Sequence, residues 1–201
     1  MITIVDYGLG NLGSLLNMFK RIGTAVEVTG DVARIGAARK LLLPGVGAFD
    51  AAMSRIQESG LRDVLDRMAL QERIPVLGIC LGMQLLTRSS EEGRMPGLGW
   101  VNATTRRFPV TRDLPVPHMG WNLVRPGTPS RLTVGLGDEP RFYFVHSYYV
   151  RMEDESKAIL TTTYGVPFHA ALQVGNIYGA QFHPEKSHRF GTQLLRNFAN
   201  L

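Results

Sequence analysis

The sequence predicts an α/β protein: a mostly parallel central sheet flanked by helices, with an antiparallel β portion in the second half. Three observations carry this. Short, wholly apolar runs such as Ile2–Val5 and Ile74–Ile79 suit strands buried on both faces, as parallel strands are. Between such runs apolar residues recur at helical spacing, as Leu12, Leu15, Leu16 and Phe19 do before Gly23. From about Gly97 to Ala180 the texture changes to short β-like stretches separated by Pro, Gly and Asp turns.

Taken in order, Ile2–Val5 is the first strand and ends in a turn-rich loop, Asp6-Tyr7-Gly8-Leu9-Gly10-Asn11, before the first helix. Ala25–Thr29 and Lys40–Leu43 are the next strands, the latter closed by Pro44-Gly45-Val46-Gly47. Ala48 to about Gln57 and Leu61 to Ala69 read as helices, and Ile74–Ile79 runs into Cys80 and a helix from about Gly82 to Thr87. In the second half Trp100–Phe108, Trp121–Val124, Phe142–Val145, Ala158–Thr163, Ala170–Val174 and Tyr178–Phe182 are strand candidates. Ser187 to Phe198 is a helix with Phe190, Leu194, Leu195 and Phe198 on one face. With no repeat, low-complexity tract or long linker, residues 1–201 are expected to form a single domain.

Composition excludes several function classes. The 22 Lys+Arg against 17 Asp+Glu are spread along the chain without a basic cluster interleaved with aromatics, so no nucleic-acid partner is expected. No apolar run approaches the roughly 18–20 residues of a membrane span, and no signal segment is visible, so no membrane partner and a cytoplasmic location are expected. A single cysteine excludes an intramolecular disulfide and a multi-thiolate zinc site. His118, His169 and His188 lack metal-ligand spacing, and Gly8-Leu9-Gly10 lacks the rest of a dinucleotide fingerprint; no metal or cofactor is expected.

In a parallel α/β sheet, function gathers at the loops leaving the C-terminal strand ends. Gly78-Ile79-Cys80-Leu81-Gly82 lies at such an end. Flanking glycines let the chain turn sharply, presenting the central side chain above the sheet, while the helix start aims N–H groups that favour a thiolate and a developing oxyanion. From these five residues alone, Cys80 is either this nucleophile or a small core hydrophobe. A base is available in Gln181-Phe182-His183-Pro184-Glu185, where Glu185 can orient His183, or the segment is an ordinary surface loop. Pro44-Gly45-Val46-Gly47 is either a plain turn or a backbone donor, with the Val46 N–H offered to an oxyanion.

Gly78-Ile79-Cys80-Leu81-Gly82-Met83-Gln84-Leu85-Leu86 together with Gln181–Glu185 resembles the class I (triad) glutamine amidotransferases, whose fold is flavodoxin-like. Pro44–Phe49, Pro117-His118-Met119-Gly120-Trp121-Asn122 and Tyr143-Phe144-Val145-His146-Ser147-Tyr148-Tyr149 narrow the resemblance, over essentially the whole chain, to the glutaminase subunits of imidazole glycerol phosphate synthase. The resemblance implies that Cys80 attacks the glutamine side-chain amide, forming a glutamyl thioester and releasing ammonia, with His183 shuttling the proton and Glu185 holding His183. It also implies an oxyanion hole from the backbone N–H groups of Val46 and Leu81, and a glutamine site from Gln84, Glu92, His146, Ser147 and Tyr148. Asn11, His118, Trp121 and Tyr143 would face a (βα)8-barrel cyclase/synthase subunit, which uses the ammonia to make imidazole glycerol phosphate and an aminoimidazole carboxamide ribotide in histidine biosynthesis.

Thr87-Arg88 departs from the family's usual aromatic and acid, a change expected to alter the charge beside Glu92. The stretch from Glu185 to Leu195 also resembles paralogues that supply ammonia for sugar amidation in bacterial surface polysaccharides, which leaves a second acceptor open. Two readings outside the amidotransferases are a cysteine peptidase or acyl hydrolase of related fold and a non-catalytic regulatory subunit. Gln84 and the Pro-His-Met-Gly-Trp-Asn motif argue against the first, and an intact Cys80, His183 and Glu185 against the second.

Overall fold

A computed structural model describes residues 1–110, 112 and 114–201. Strands β1 (Ile2–Val5), β2 (Val26–Thr29), β3 (Leu41–Leu43) and β4 (Val76–Ile79) alternate with helices α1 (Leu12–Ile22), α2 (Val32–Ile35), α3 (Phe49–Glu58), α4 (Leu61–Asp66) and α5 (Leu81–Leu85). Then follow β5 (Ala103–Arg107), β6 (His118–Leu123), β7 (Arg125–Pro126), β8 (Arg141–His146), β9 (Tyr148–Met152), β10 (Ala158–Tyr164), β11 (Val166–Val174), β12 (Ile177–Ala180) and α6 (His188–Ala199).

Among the described residues one eight-stranded sheet runs β2-β1-β3-β4-β12-β11-β10-β7. Its first five strands are mutually parallel, and β12-β11-β10-β7 pair antiparallel, so the antiparallel portion extends the parallel sheet. Two ribbons, β5-β9 and β6-β8, stand beside it.

The apolar runs are buried because both sheet faces are covered, with alternate side chains going to opposite layers. Ile4, Leu42 and Leu77 pack with Leu15 and Phe19 of α1 and with Leu194 and Phe198 of α6. Val5, Leu41, Leu43 and Val76 meet Phe49, Met53 and Ile56 of α3 and Leu61 and Leu65 of α4 on the other face. Each such fully buried Leu, Ile or Phe contributes about 1.5–3 kcal/mol relative to exposure. Helix α1 begins where the Asn11 side chain accepts from the Ser14 N–H and ends at Gly23, whose φ of 77° places it in the left-handed region.

Two local expectations are corrected. The helix expected over Leu61–Ala69 is α-helical only to Asp66, and Arg67–Gln71 form a single π-type turn that buries Met68 and Ala69. Strand β9 has no counterpart among the sequence-based strands: the lone residue Ser147 separates it from β8, with no turn residues to mark the break. Across that break the chain leaves one ribbon and enters the other.

Candidate active site

Strands β1, β3, β4 and β12 run parallel, so the loops after Val5, Leu43, Ile79 and Ala180 leave the sheet on one side. The register sets Ala180 beside Ile79, and so Cys80 and Gln181 start from adjacent strand ends.

Cys80 has φ 54° and ψ −111°, a left-handed conformation that a non-glycine residue holds only when its surroundings impose it. They do so here. The Cys80 N–H bonds the Ala180 carbonyl at 2.7 Å, and α5 begins at the next residue. The thiol is the chain's free cysteine, and its sulfur lies 3.9 Å from the Val145 carbonyl and 4.0 Å from Gln181 Nε2. Among the described residues, none accepts a hydrogen bond from the N–H of Leu81 or of Val46.

His183 is fixed from both sides. Its N–H bonds the Tyr143 carbonyl at 2.9 Å, and its own carbonyl accepts from the Ser187 hydroxyl at 2.6 Å. Nδ1 meets Glu185 Oε1 at 2.8 Å with both side chains buried. Nε2 is also buried, with no partner of hydrogen-bonding geometry among the described residues. Burial on its own would push the imidazole pKa down, but the proximity and charge of Cys80, with the hydrogen bond and charge of Glu185, outweigh it and carry His183 up to about 10. A proton leaving the thiol therefore has a strong acceptor, and Glu185 holds the charged form.

A cavity of about 360 Å³ opens at Cys80, a size suited to an amino-acid substrate. Val46, Leu81, Gln84, Glu92, His146, Ser147, Tyr148 and His183 all line it; Glu185 stands behind His183. Gln84 donates to the Tyr148 carbonyl at 2.9 Å. Glu92 accepts from the Phe49 N–H at 3.1 Å, capping α3 where Ala48 has no side chain to do so. Burial, opposed by that N–H, raises the pKa of Glu92, and the charge of Asp50 adds to the rise. Thr87 and Arg88 do not reach Glu92: Thr87 is buried and bonds the Gln84 carbonyl at 2.8 Å, while Arg88 pairs with Glu153 at 3.2 Å. The expected change of charge beside Glu92 is corrected accordingly, because the side chain of Arg88 is drawn toward β9.

Of the residues expected at a partner face, Asn11, Trp121 and Tyr143 are at least partly exposed outside the cavity. Trp121 and Tyr143 are cross-strand partners on β6 and β8, and Trp121 stacks on His188 with ring centroids 5.3 Å apart. His118 is the exception. It is buried at 3% exposure, because strand alternation turns Met119, Trp121 and Leu123 outward and His118 inward.

Sequence reasoning assigned no role to Tyr7 or Gln181. Tyr7 is buried with its hydroxyl on the Pro44 carbonyl, and burial, with the charge of Cys80 behind it, raises its pKa strongly. Gln181 is fully buried between Gln84 and the Cys80 sulfur. Gln181 directly follows β12 and Tyr7 lies two residues past the end of β1, and both strand ends face the site, the one signal that pointed to them. Among the described residues no group of three His, Cys, Asp or Glu is placed to hold a metal ion, and no helix is long and apolar enough to cross a membrane.

A cysteine at a strained strand end, facing a buried His–Glu pair across an amino-acid-sized cavity, defines a cysteine-dependent acyl-transfer site on an α/β sheet. The glutamine amidotransferase class-I family profile matches residues 3–201. Imidazole glycerol phosphate synthase subunit HisH 2 of Methanococcus maripaludis is 52% identical, over 98% of each chain. The HisH 2 subunit of Pseudomonas aeruginosa is 49% identical and the HisH subunit of Bdellovibrio bacteriovorus 47%, both over the full length of each chain. A solved glutamine amidotransferase matches the fold at TM-score 0.78 with 18% identity over the whole of both chains. A glutamine amidotransferase from Thermotoga maritima matches at 0.70 with 15% identity, over 98% of this chain and 95% of the other. The chain belongs to the class-I glutamine amidotransferases, in the group of imidazole glycerol phosphate synthase HisH subunits. The names of these relatives do not favour the sugar-amidation alternative.

Proposed function

We propose that the chain is the glutaminase subunit of an imidazole glycerol phosphate synthase, acting as a single amidotransferase domain in the cytoplasm, where a lone free thiol stays reduced. Cys80 Sγ attacks the side-chain amide carbon of L-glutamine, and His183 takes the thiol proton. The tetrahedral oxyanion lies toward the N–H groups of Leu81 and Val46. His183 returns the proton to the leaving nitrogen, ammonia departs, and a glutamyl thioester remains on Cys80. Water, deprotonated by His183, attacks the thioester; the sulfur leaves, glutamate is released, and the thiol is restored. Glu92 pairs with the substrate ammonium, and Gln84, His146, Ser147 and Tyr148 hold the rest of the amino-acid moiety.

Ammonia passes to a (βα)8-barrel synthase subunit docked on the exposed face of β6 and β8. Met119, Trp121 and Leu123 present apolar surface there, and Val145 on the same ribbon joins that face to the cavity. Asn11 and Tyr143 belong to the same docking surface.

The observation that carries the reading is the alignment of Cys80, at φ 54°, with the buried His183–Glu185 pair at 2.8 Å. Assembled with the barrel subunit, Cys80→Ala is expected to lose glutamine-dependent synthase activity by about 10⁴-fold or more. Activity supplied with free ammonia is expected to persist. Loss of both activities together would mark Cys80 as a structural residue and remove the proposal.

A further inference from the structure

The buried face of the β6–β8 ribbon carries a line of hydrogen bonds that begins outside the cavity and runs through His146 to its wall. His118 Nδ1 and His146 Nε2 are 3.0 Å apart, Asn122 Nδ2 lies 3.3 Å from His118 Nε2, and His146 Nδ1 lies 2.7 Å from the Tyr148 carbonyl oxygen. The direction of every proton follows from the ends. Asn122 Nδ2 also donates to the Thr163 carbonyl at 3.0 Å, so that atom is the amide nitrogen and His118 Nε2 must accept from it. The His118 proton is then on Nδ1 and points at His146 Nε2. The His146 proton is left on Nδ1 and points at the Tyr148 carbonyl, which can only accept. Both ends require the same pair of tautomers.

The surroundings hold this arrangement. Rings of Tyr164 and Phe144 stack on His118, with centroids 4.1 and 4.8 Å away and interplanar angles of 25° for each. Burial lowers the pKa of His118 to about 4 and, with charge from His118 and His183, that of His146 to about 3, so both rings stay neutral near pH 7. The line ends on the cavity wall: the Tyr148 carbonyl that receives it also receives Gln84 Nε2 at 2.9 Å, and Gln84, Ser147 and Tyr148 line the cavity.

We propose that Asn122, His118 and His146 form a positioning line that fixes the Tyr148 carbonyl, and with it the Gln84 and Ser147–Tyr148 wall, and that ties this wall to the strand docking the barrel subunit. His118, outside the cavity, is its central positioning residue. The inference rests on the glutaminase reading above.

Three variants, each assembled with the barrel subunit, test it. His118→Phe keeps the stacked ring and removes both hydrogen bonds. Asn122→Asp replaces the terminal donor by an acceptor and demands the opposite tautomers. His118→Gln keeps one acceptor and one donor. The glutamine KM is expected to rise and glutamine-dependent kcat/KM to fall about 10–100-fold in the first two, since a misplaced substrate wall loses alignment. His118→Gln is expected to recover most of that loss, while ammonia-dependent activity and partner affinity keep wild-type values. Glutamine kcat/KM within about twofold of wild type for both His118→Phe and Asn122→Asp overturns the proposal. So does a loss in His118→Gln as large as in His118→Phe, which would make the role one of packing. If His118→Phe does not fold, Asn122→Asp decides by the same criterion. Failure of the wild-type complex to release ammonia from glutamine would instead remove the glutaminase reading.

Discussion

The carbonyl oxygen of Leu43 occupies the space where a side chain at Gly82 would begin. Gly78 meets the same turn from below, where a Cβ would lie 2.5 Å from the Gly82 carbonyl oxygen. The Gly-x-Cys-x-Gly spacing is thus a steric requirement: the end of β4, the elbow and β3 pack backbone against backbone, and Cys80 is held at φ 54° above them.

Replacing Gly82 by Ala must therefore displace β3 or the elbow. A stability loss of about 1–3 kcal/mol is expected in urea unfolding, since the clash is with backbone that cannot swing away. Glutaminase turnover should fall further than the unfolded fraction explains. An unchanged midpoint with full turnover would show that the elbow yields freely.

His183 carries a pKa raised to about 10, so the folded chain holds this proton more tightly than the unfolded chain does. Its stabilisation is fully present below about pH 6.5, the unfolded value, and is lost as pH climbs through about 10. The stability gap between wild type and His183→Gln is expected to narrow across that window in denaturant titrations. In Cys80→Ala the His183 pKa should drop, which an NMR titration of the imidazole reads directly; an unchanged value would mean that the sulfur does not act on the ring.

Glu92 serves both α3 and the cavity, and two substitutions separate the roles. Glu92→Gln keeps an oxygen for the Phe49 N–H but removes the charge, so the glutamine KM should rise with little change in melting temperature. Glu92→Ala removes the cap as well and is expected to cost about 1 kcal/mol. Equal KM values for wild type and Glu92→Gln would dismiss the ammonium-binding role.

The neutral His118 works in the opposite sense from His183. Below pH 6.5 the unfolded chain takes up a proton that the folded chain refuses until about pH 4, so stability drains away over that range as pH falls. His118→Gln cannot take the proton, and a flatter acid limb is expected in melting temperature against pH. A limb as steep as that of the wild type would place the acid sensitivity elsewhere.

Strands β1, β3, β4 and β12 were legible in outline because a strand buried on both faces is a continuous apolar run, whatever it pairs with. Strand β9 was not, because Ser147 alone divides it from β8 and nothing in Tyr148–Met152 says that the chain changes partner there. The π-type turn after Asp66 was equally silent, since its apolar residues match a helical pattern until the last turn. At the site, Cys80, His183 and Glu185 were legible from short motifs. The capping of α3 by Glu92 and the inward turn of His118 were not.

From its sequence alone this protein declares a cysteine at a glycine-flanked elbow and, far along the chain, a His–Glu couple, because both rest on steric and bonding rules that act over a few residues. Only the tertiary structure decides that Tyr7 bonds Pro44, that Gln181 joins Cys80, that Arg88 turns to Glu153, and that Asn122, His118 and His146 line up behind Tyr148. Those contacts depend on strand order and register, which bring together residues far apart in the chain, and a register shift of one residue would turn His118 outward and Trp121 inward.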